Sequence, residues 1–129
     1  MLRRAIACAT SLTAAILSVA IEHNALADTA SPAPLVERGK YLATGAGQCA
    51  DCHGPTLRGA PLAFPVPPTP DFTKRAPRLA GLPGLTTAQA TRFLQTGVLP
   101  HGKHARHPMP AYRFNHDDAA ALVAYLKSL

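Results

Sequence analysis

The chain has 129 residues, enough for one domain and too few for two of ordinary size, with a formal charge of +6. Aromatic residues make up 5% and tryptophan is absent, so side chains alone supply little bulky core filler. A domain of this size generally leans on a metal, a disulfide or a cofactor.

Arg3 and Arg4 precede an apolar run from Ala5 to Ile21, and Ala25-Leu26-Ala27 offers a small-x-small cleavage site before Asp28. This is the order of features in a secretory signal peptide, predicted over residues 1–27, with a single domain over 28–129. The run is at the short limit for a spanning helix and is diluted by Thr and Ser, which favours cleavage over retention as a membrane anchor. The residues around Arg3-Arg4 fit a twin-arginine signal poorly, which points to the general secretory route. Cleavage also removes Cys8 and leaves Cys49 and Cys52 in an oxidising compartment. In an exported protein the positive charge argues for an acidic protein partner or simple solubility, not for nucleic acid.

A first helix is predicted from about Pro34 to Ala43, with Pro in the first turn and Leu35, Arg38/Gly39 and Leu42 on one face. Gly39 inside it costs roughly 1 kcal/mol relative to Ala, a cost that close approach by another helix would offset. Gly45-Ala46-Gly47 is expected to end the helix before Cys49. From Gly54 to Pro83 the chain reads as loop, because Pro55, Pro61, Pro65, Pro67, Pro68, Pro70 and Pro77 exclude a long helix. A loop of this length in a small domain needs an object to wrap. Thr86-Thr87-Ala88-Gln89 has capping-box spacing, and Ala90, Phe93 and Leu94 follow at helical spacing until Gly97. Val98 to Phe114 again reads as loop. The last helix has Asn115 as N-cap, Asp117 and Asp118 at its positive end, an apolar stripe of Ala119, Leu122, Val123 and Leu126, and Lys127 near its C-terminus. No segment alternates like a strand, so the predicted class is all-α: about three to four helices with long Pro-rich loops.

The chemistry concentrates in Cys49-Ala50-Asp51-Cys52-His53, the C-x-x-C-H spacing of a c-type haem attachment. Two thiols about one helical turn apart can each form a thioether with one vinyl group of a single haem, which leaves His53 beneath the iron as a ligand. A thioredoxin-like pair would need a βαβ context that is missing. A structural zinc site would need a further Cys partner for the later histidines. For the second axial position, Met109 is the one methionine beyond the signal, and Pro108 and Pro110 fix the backbone on either side. Ordinary core filling is the alternative for Met109. His101, His104 and His107 in the same loop are its competitors, as ligands to the haem or as a surface metal site, and His116 is expected to be exposed.

Glu37-Arg38-Gly39-Lys40-Tyr41-Leu42, the attachment motif, and Pro108-Met109-Pro110-Ala111-Tyr112-Arg113-Phe114 together resemble the class I cytochrome c family of bacterial monohaem cytochromes, over roughly Leu35 to Leu129. The resemblance implies a small cytochrome c-like fold around one covalent haem c, with iron held by His53 and Met109. It also implies a periplasmic one-electron carrier of positive potential, not an enzyme, whose partners are a dehydrogenase or an oxidase. Gly39 and Tyr125 are the positions it carries to a close crossing of the first and last helices. It further implies a proline carbonyl that orients His53, for which Pro61 and Pro65 are the candidates. Arg58, Lys74, Arg75, Arg78, Lys103, Arg106 and Arg113 fall in loops expected around the haem. A haem enzyme such as a peroxidase, or a gas sensor with an open or His-ligated distal site, is the rival reading, and a module stabilised by zinc or a disulfide is a second.

Overall fold

The computed structural model describes residues 32–129; the expected signal peptide, residues 1–27, lies outside the described residues. Four α-helices follow in order: α1 (Pro32–Tyr41), α2 (Cys49–His53), α3 (Thr87–Thr96) and α4 (His116–Ser128). A π turn over Leu42–Ala46 extends α1, and a single 3-10 turn covers Pro100–Gly102. The one ladder among the described residues joins two-residue strands, β1 (Ala60–Pro61) and β2 (Arg75–Ala76), antiparallel with Ala60 opposite Ala76. The all-α expectation holds, and among the described residues no helix is long and apolar enough to cross a membrane.

Both Pro32 and Pro34 lie in the first turn of α1, where no backbone N–H is needed, so the helix starts earlier than expected. It also ends later. Gly45 and Ala46 stay helical in the π turn, and the break comes at Gly47, whose N–H donates to the Leu42 carbonyl at 2.7 Å. A side chain at Gly47 would meet that carbonyl oxygen at 2.7 Å, so the tight exit excludes one. The caps of α3 and α4 are as predicted. Thr86 accepts from the Gln89 N–H at 3.2 Å while the Gln89 side chain accepts from the Thr86 N–H at 2.9 Å. Asn115 accepts from the Asp118 N–H at 2.8 Å.

The most extensive pairing of elements is α1 against α4. Gly39 is buried at this crossing. A Cβ built there would lie 2.6 Å from the Ala121 carbonyl carbon and 2.7 Å from Tyr125 Cβ. The expected Gly39–Tyr125 contact is therefore present, and it explains why Ala121 is fully buried although it lies off the predicted stripe. Arg38 clamps the crossing from its rim, with Nε donating to Asp118 Oδ1 at 2.6 Å. The predicted stripe residues Ala119, Leu122, Val123 and Leu126 are all buried, joined by Leu42, Ala43, Leu57, Ala90 and Leu94.

Gly39→Val should force the crossing apart and cost about 1–3 kcal/mol, the usual penalty for overpacking. A fall of several degrees in the Tm of the haem-loaded protein is expected. An unchanged Tm would mean that the two backbones do not approach closely in solution.

Candidate functional site

Beside the core lies a cavity of about 690 Å³, within the roughly 300–1,000 Å³ of small-molecule and cofactor sites. Its apolar lining includes Leu62, Leu79, Leu82, Leu85, Phe93 and Leu99. Cys49, Cys52, His53 and Met109, far apart in sequence at their two ends, all line it.

The attachment segment is positioned by backbone. Gln48 takes a left-handed conformation (φ 51°) that turns the chain from the π turn into α2. The single turn of α2 places Cys49 and Cys52 on the cavity; Cys49 is buried, Cys52 is half-buried, and the two thiols are not joined. Burial pushes the Cys49 thiol above its ordinary value; a backbone hydrogen bond opposes that, and nearby Cys52 and Asp51 add to it. A redox-active pair needs a thiol shifted the other way, so the thioredoxin-like alternative loses ground. Among the described residues, no group of three or more His, Cys, Asp and Glu is placed to hold a metal ion.

His53 is 4% exposed, and its Nδ1 lies 2.7 Å from the carbonyl oxygen of Pro77. A carbonyl can only accept, so Nδ1 is the donor and Nε2 is the nitrogen left to bind a metal. The orienting proline is thus Pro77, not Pro61 or Pro65. The ladder explains the difference: Pro61 is paired with Arg75 in β1, and the chain leaving β2 at Ala76 brings Pro77 onto the ring. Leu57 secures this return. It is 1% exposed and adopts a positive φ of 55°, a conformation that needs enforcing in a branched residue, and its carbonyl accepts from the N–H groups of Leu79 (2.8 Å) and Ala80 (2.9 Å).

On the distal loop, Met109 is half-buried. The loop is tied to the segment before β2, as the His107 N–H donates to the Asp71 carbonyl and the Thr73 N–H to the His107 carbonyl, both at 2.8 Å. Tyr112, which the sequence did not single out, ties it to the attachment segment: its hydroxyl donates to the Gly47 carbonyl, and its ring stacks on Phe114 with centroids 5.0 Å apart. Of the cations expected around the cofactor, Arg75, Arg78, Lys103 and Arg106 line the cavity, but Arg58, Lys74 and Arg113 do not. Arg58 follows the inward-anchored Leu57, Lys74 offers its backbone carbonyl to Leu62, and Arg113 turns back to the Tyr112 carbonyl at 2.8 Å.

The residues present fit a large, planar, mostly apolar group tethered by sulfur, with an imidazole prepared to bind a metal at its centre. The site is that of a protein carrying a covalently held prosthetic group inside a small helical shell. The cytochrome c family matches residues 36–129, and the chain belongs to that family. It is a haem-binding electron carrier, and haem c, attached covalently through cysteine, is its cofactor. A comparison with curated protein sequences finds no significant match.

Tyr112 yields a pH prediction. Burial, then the charges of Cys49, Cys52 and Asp51, raises its phenol above the ordinary value; in the haem-loaded protein, where the thiols no longer ionise, burial and Asp51 remain. As pH passes the ordinary phenol range near 10, the unfolded chain loses this proton while the folded chain keeps it, so stability falls as pH rises. Urea unfolding at about pH 9 and about pH 11 should show a larger loss for the wild type than for Tyr112→Phe. Equal losses would place Tyr112 in water.

Proposed function

We propose that this protein is a periplasmic one-electron carrier whose single haem c would be held by thioethers from Cys49 and Cys52, with His53 and Met109 the residues that would bind its iron. The reading is carried by one observation: the same apolar cavity is lined by the thiol pair, by Met109, and by an imidazole whose far nitrogen is engaged by the Pro77 carbonyl. Bound haem supplies the iron couple that takes up and releases one electron. The chain does the rest. The Pro77 carbonyl orients His53 and fixes its ring, and so would support its donation to a bound metal. A thioether from Met109 favours the reduced state relative to a second imidazole and so raises the potential. The leucines that line the cavity limit access of water, which further tunes that potential.

No substrate pocket with a base or nucleophile is required, so the protein acts as a carrier and not as an enzyme. Export by the predicted signal peptide supports the periplasmic location. Arg75, Arg78, Lys103 and Arg106 line the cavity, and none of them pairs with a carboxylate among the described residues. Such a collar suits an acidic face on a dehydrogenase or oxidase and would speed encounter in a salt-sensitive way.

Intact mass should show one added haem that survives acid-acetone extraction. Cys52→Ala should sharply reduce the yield of stably attached haem; normal yield would overturn the attachment scheme. Met109→Ala should lower the midpoint potential on the order of 100 mV, within the ~0.8 V range that axial ligands command. An unchanged potential would reduce Met109 to packing.

A further inference from the structure

Three histidines crowd the loop before Met109, and their surroundings differ. His101 is exposed, with a left-handed backbone (φ 62°), and lines neither of two neighbouring cavities. His107 stacks on Phe72 with ring centroids 5.2 Å apart. It borders only the smaller cavity, about 250 Å³, on which Met109 also lies. His104 lines both cavities, as Met109 does. Its backbone is bridged to Val98, and its Nδ1 lies 3.2 Å from the Gly97 carbonyl oxygen.

That last contact repeats the arrangement of His53. The Gly97 carbonyl can only accept, so Nδ1 of His104 is the donor and Nε2 is the nitrogen left to bind a metal. Among the described histidines, His53 and His104 alone have a ring nitrogen bonded to a backbone carbonyl, and they alone line the large cavity. A carbonyl on the far nitrogen is the usual support of a histidine that binds a metal, fixing tautomer and ring direction together. The His104 ring is itself exposed, so this contact and not burial is what fixes it.

We propose that His104 is the reserve axial ligand of the haem, its Nε2 taking the distal position when the Met109 thioether leaves it. The proposal rests on the reading of His53 and Met109 given above. The exchange balances without a proton or an electron: the sulfur of Met109 withdraws one lone pair, and Nε2 of neutral His104 supplies another. Imidazole is the harder donor and thioether the softer, so the exchange is more favourable in the oxidised protein than in the reduced one. His104 thereby keeps the distal face closed to small molecules when Met109 is displaced.

The test uses haem-loaded protein purified from a host with working maturation machinery. In ferric Met109→Ala, optical and electron paramagnetic resonance spectra should show a low-spin haem with two nitrogen ligands. In Met109→Ala/His104→Ala they should show a high-spin, open haem. Added imidazole should bind the single variant at least roughly tenfold more weakly than the double variant, because a tethered ring competes at millimolar or higher effective concentration. If Met109→Ala does not accumulate, the volume-conserving Met109→Leu is read in the same way. A high-spin Met109→Ala, or a low-spin spectrum that survives removal of His104, overturns the proposal. A spectrum unchanged in Met109→Ala but opened by His104→Ala alone would overturn the Met109 assignment and uphold His104 as a ligand. Wild-type protein without covalent haem would overturn both.

Discussion

The hydrogen bond between His53 and the Pro77 carbonyl fixes more of this molecule than any other single contact. It joins the end of α2 to a point well along the proline-rich loop, and it does so at a ring that is almost fully buried. To bring Pro77 there, the loop must reverse, and the short β1–β2 ladder together with the left-handed Leu57 makes the reversal. The Leu57 carbonyl takes two N–H groups from the returning chain, which pairs that part of the backbone without a helix or a full sheet. The prolines that exclude helix are therefore compatible with a defined course. They remove donors that this irregular path could not have paired, and one of them supplies the acceptor that sets the ring.

The second constraint is volume. The buried set is rich in alanine, with leucine as its main large member, and it surrounds only part of the space that the helices enclose. An open apolar cavity on this scale leaves its leucine lining in contact with water unless a large apolar group covers it, at roughly 25 cal/mol per Å² of surface. Haem c is a group of that size and character, and its attachment through cysteine prevents its loss. The low aromatic content and missing tryptophan read directly as the complement of a porphyrin. The α1–α4 crossing is then the part of the fold that rests on protein alone. Its close approach at Gly39 and Ala121 compensates in contact for what small residues lack in bulk.

How much of this was legible in the sequence depended on how local the signal was. Capping residues, the apolar stripe of α4 and the Cys49-Cys52-His53 spacing are short-range patterns, and each is realised as predicted in local structure. Gly39 was legible because a glycine inside a helix is costly and demands a reason. Pro77 was not, because one proline among many in a loop has no local mark, and only the strand pairing selects it. Leu57 was missed because its burial follows from a positive φ in a loop, where periodicity says nothing. Tyr112 has no local mark of its role, since its acceptor, Gly47, is far away in the chain. The extension of the first helix through Gly45 and Ala46 went unseen because glycine usually ends helices, and a π turn tolerates it.

The same distinction governs the distal side. Proline on both sides of Met109 restricts its own backbone, but the loop's place is set by bonds to Asp71, Thr73 and Gly47, three points on two other segments. The attachment segment and the distal loop are thus parts of one hydrogen-bonded frame, connected through Tyr112 on one edge and through the strand region on the other. A frame of this kind limits how far Met109 can shift relative to His53, which suits electron transfer, where small reorganisation between oxidation states is favoured. It also means that a change at the distal position is met most readily by a donor already inside the frame, and the histidine anchored to Gly97 is the one so placed.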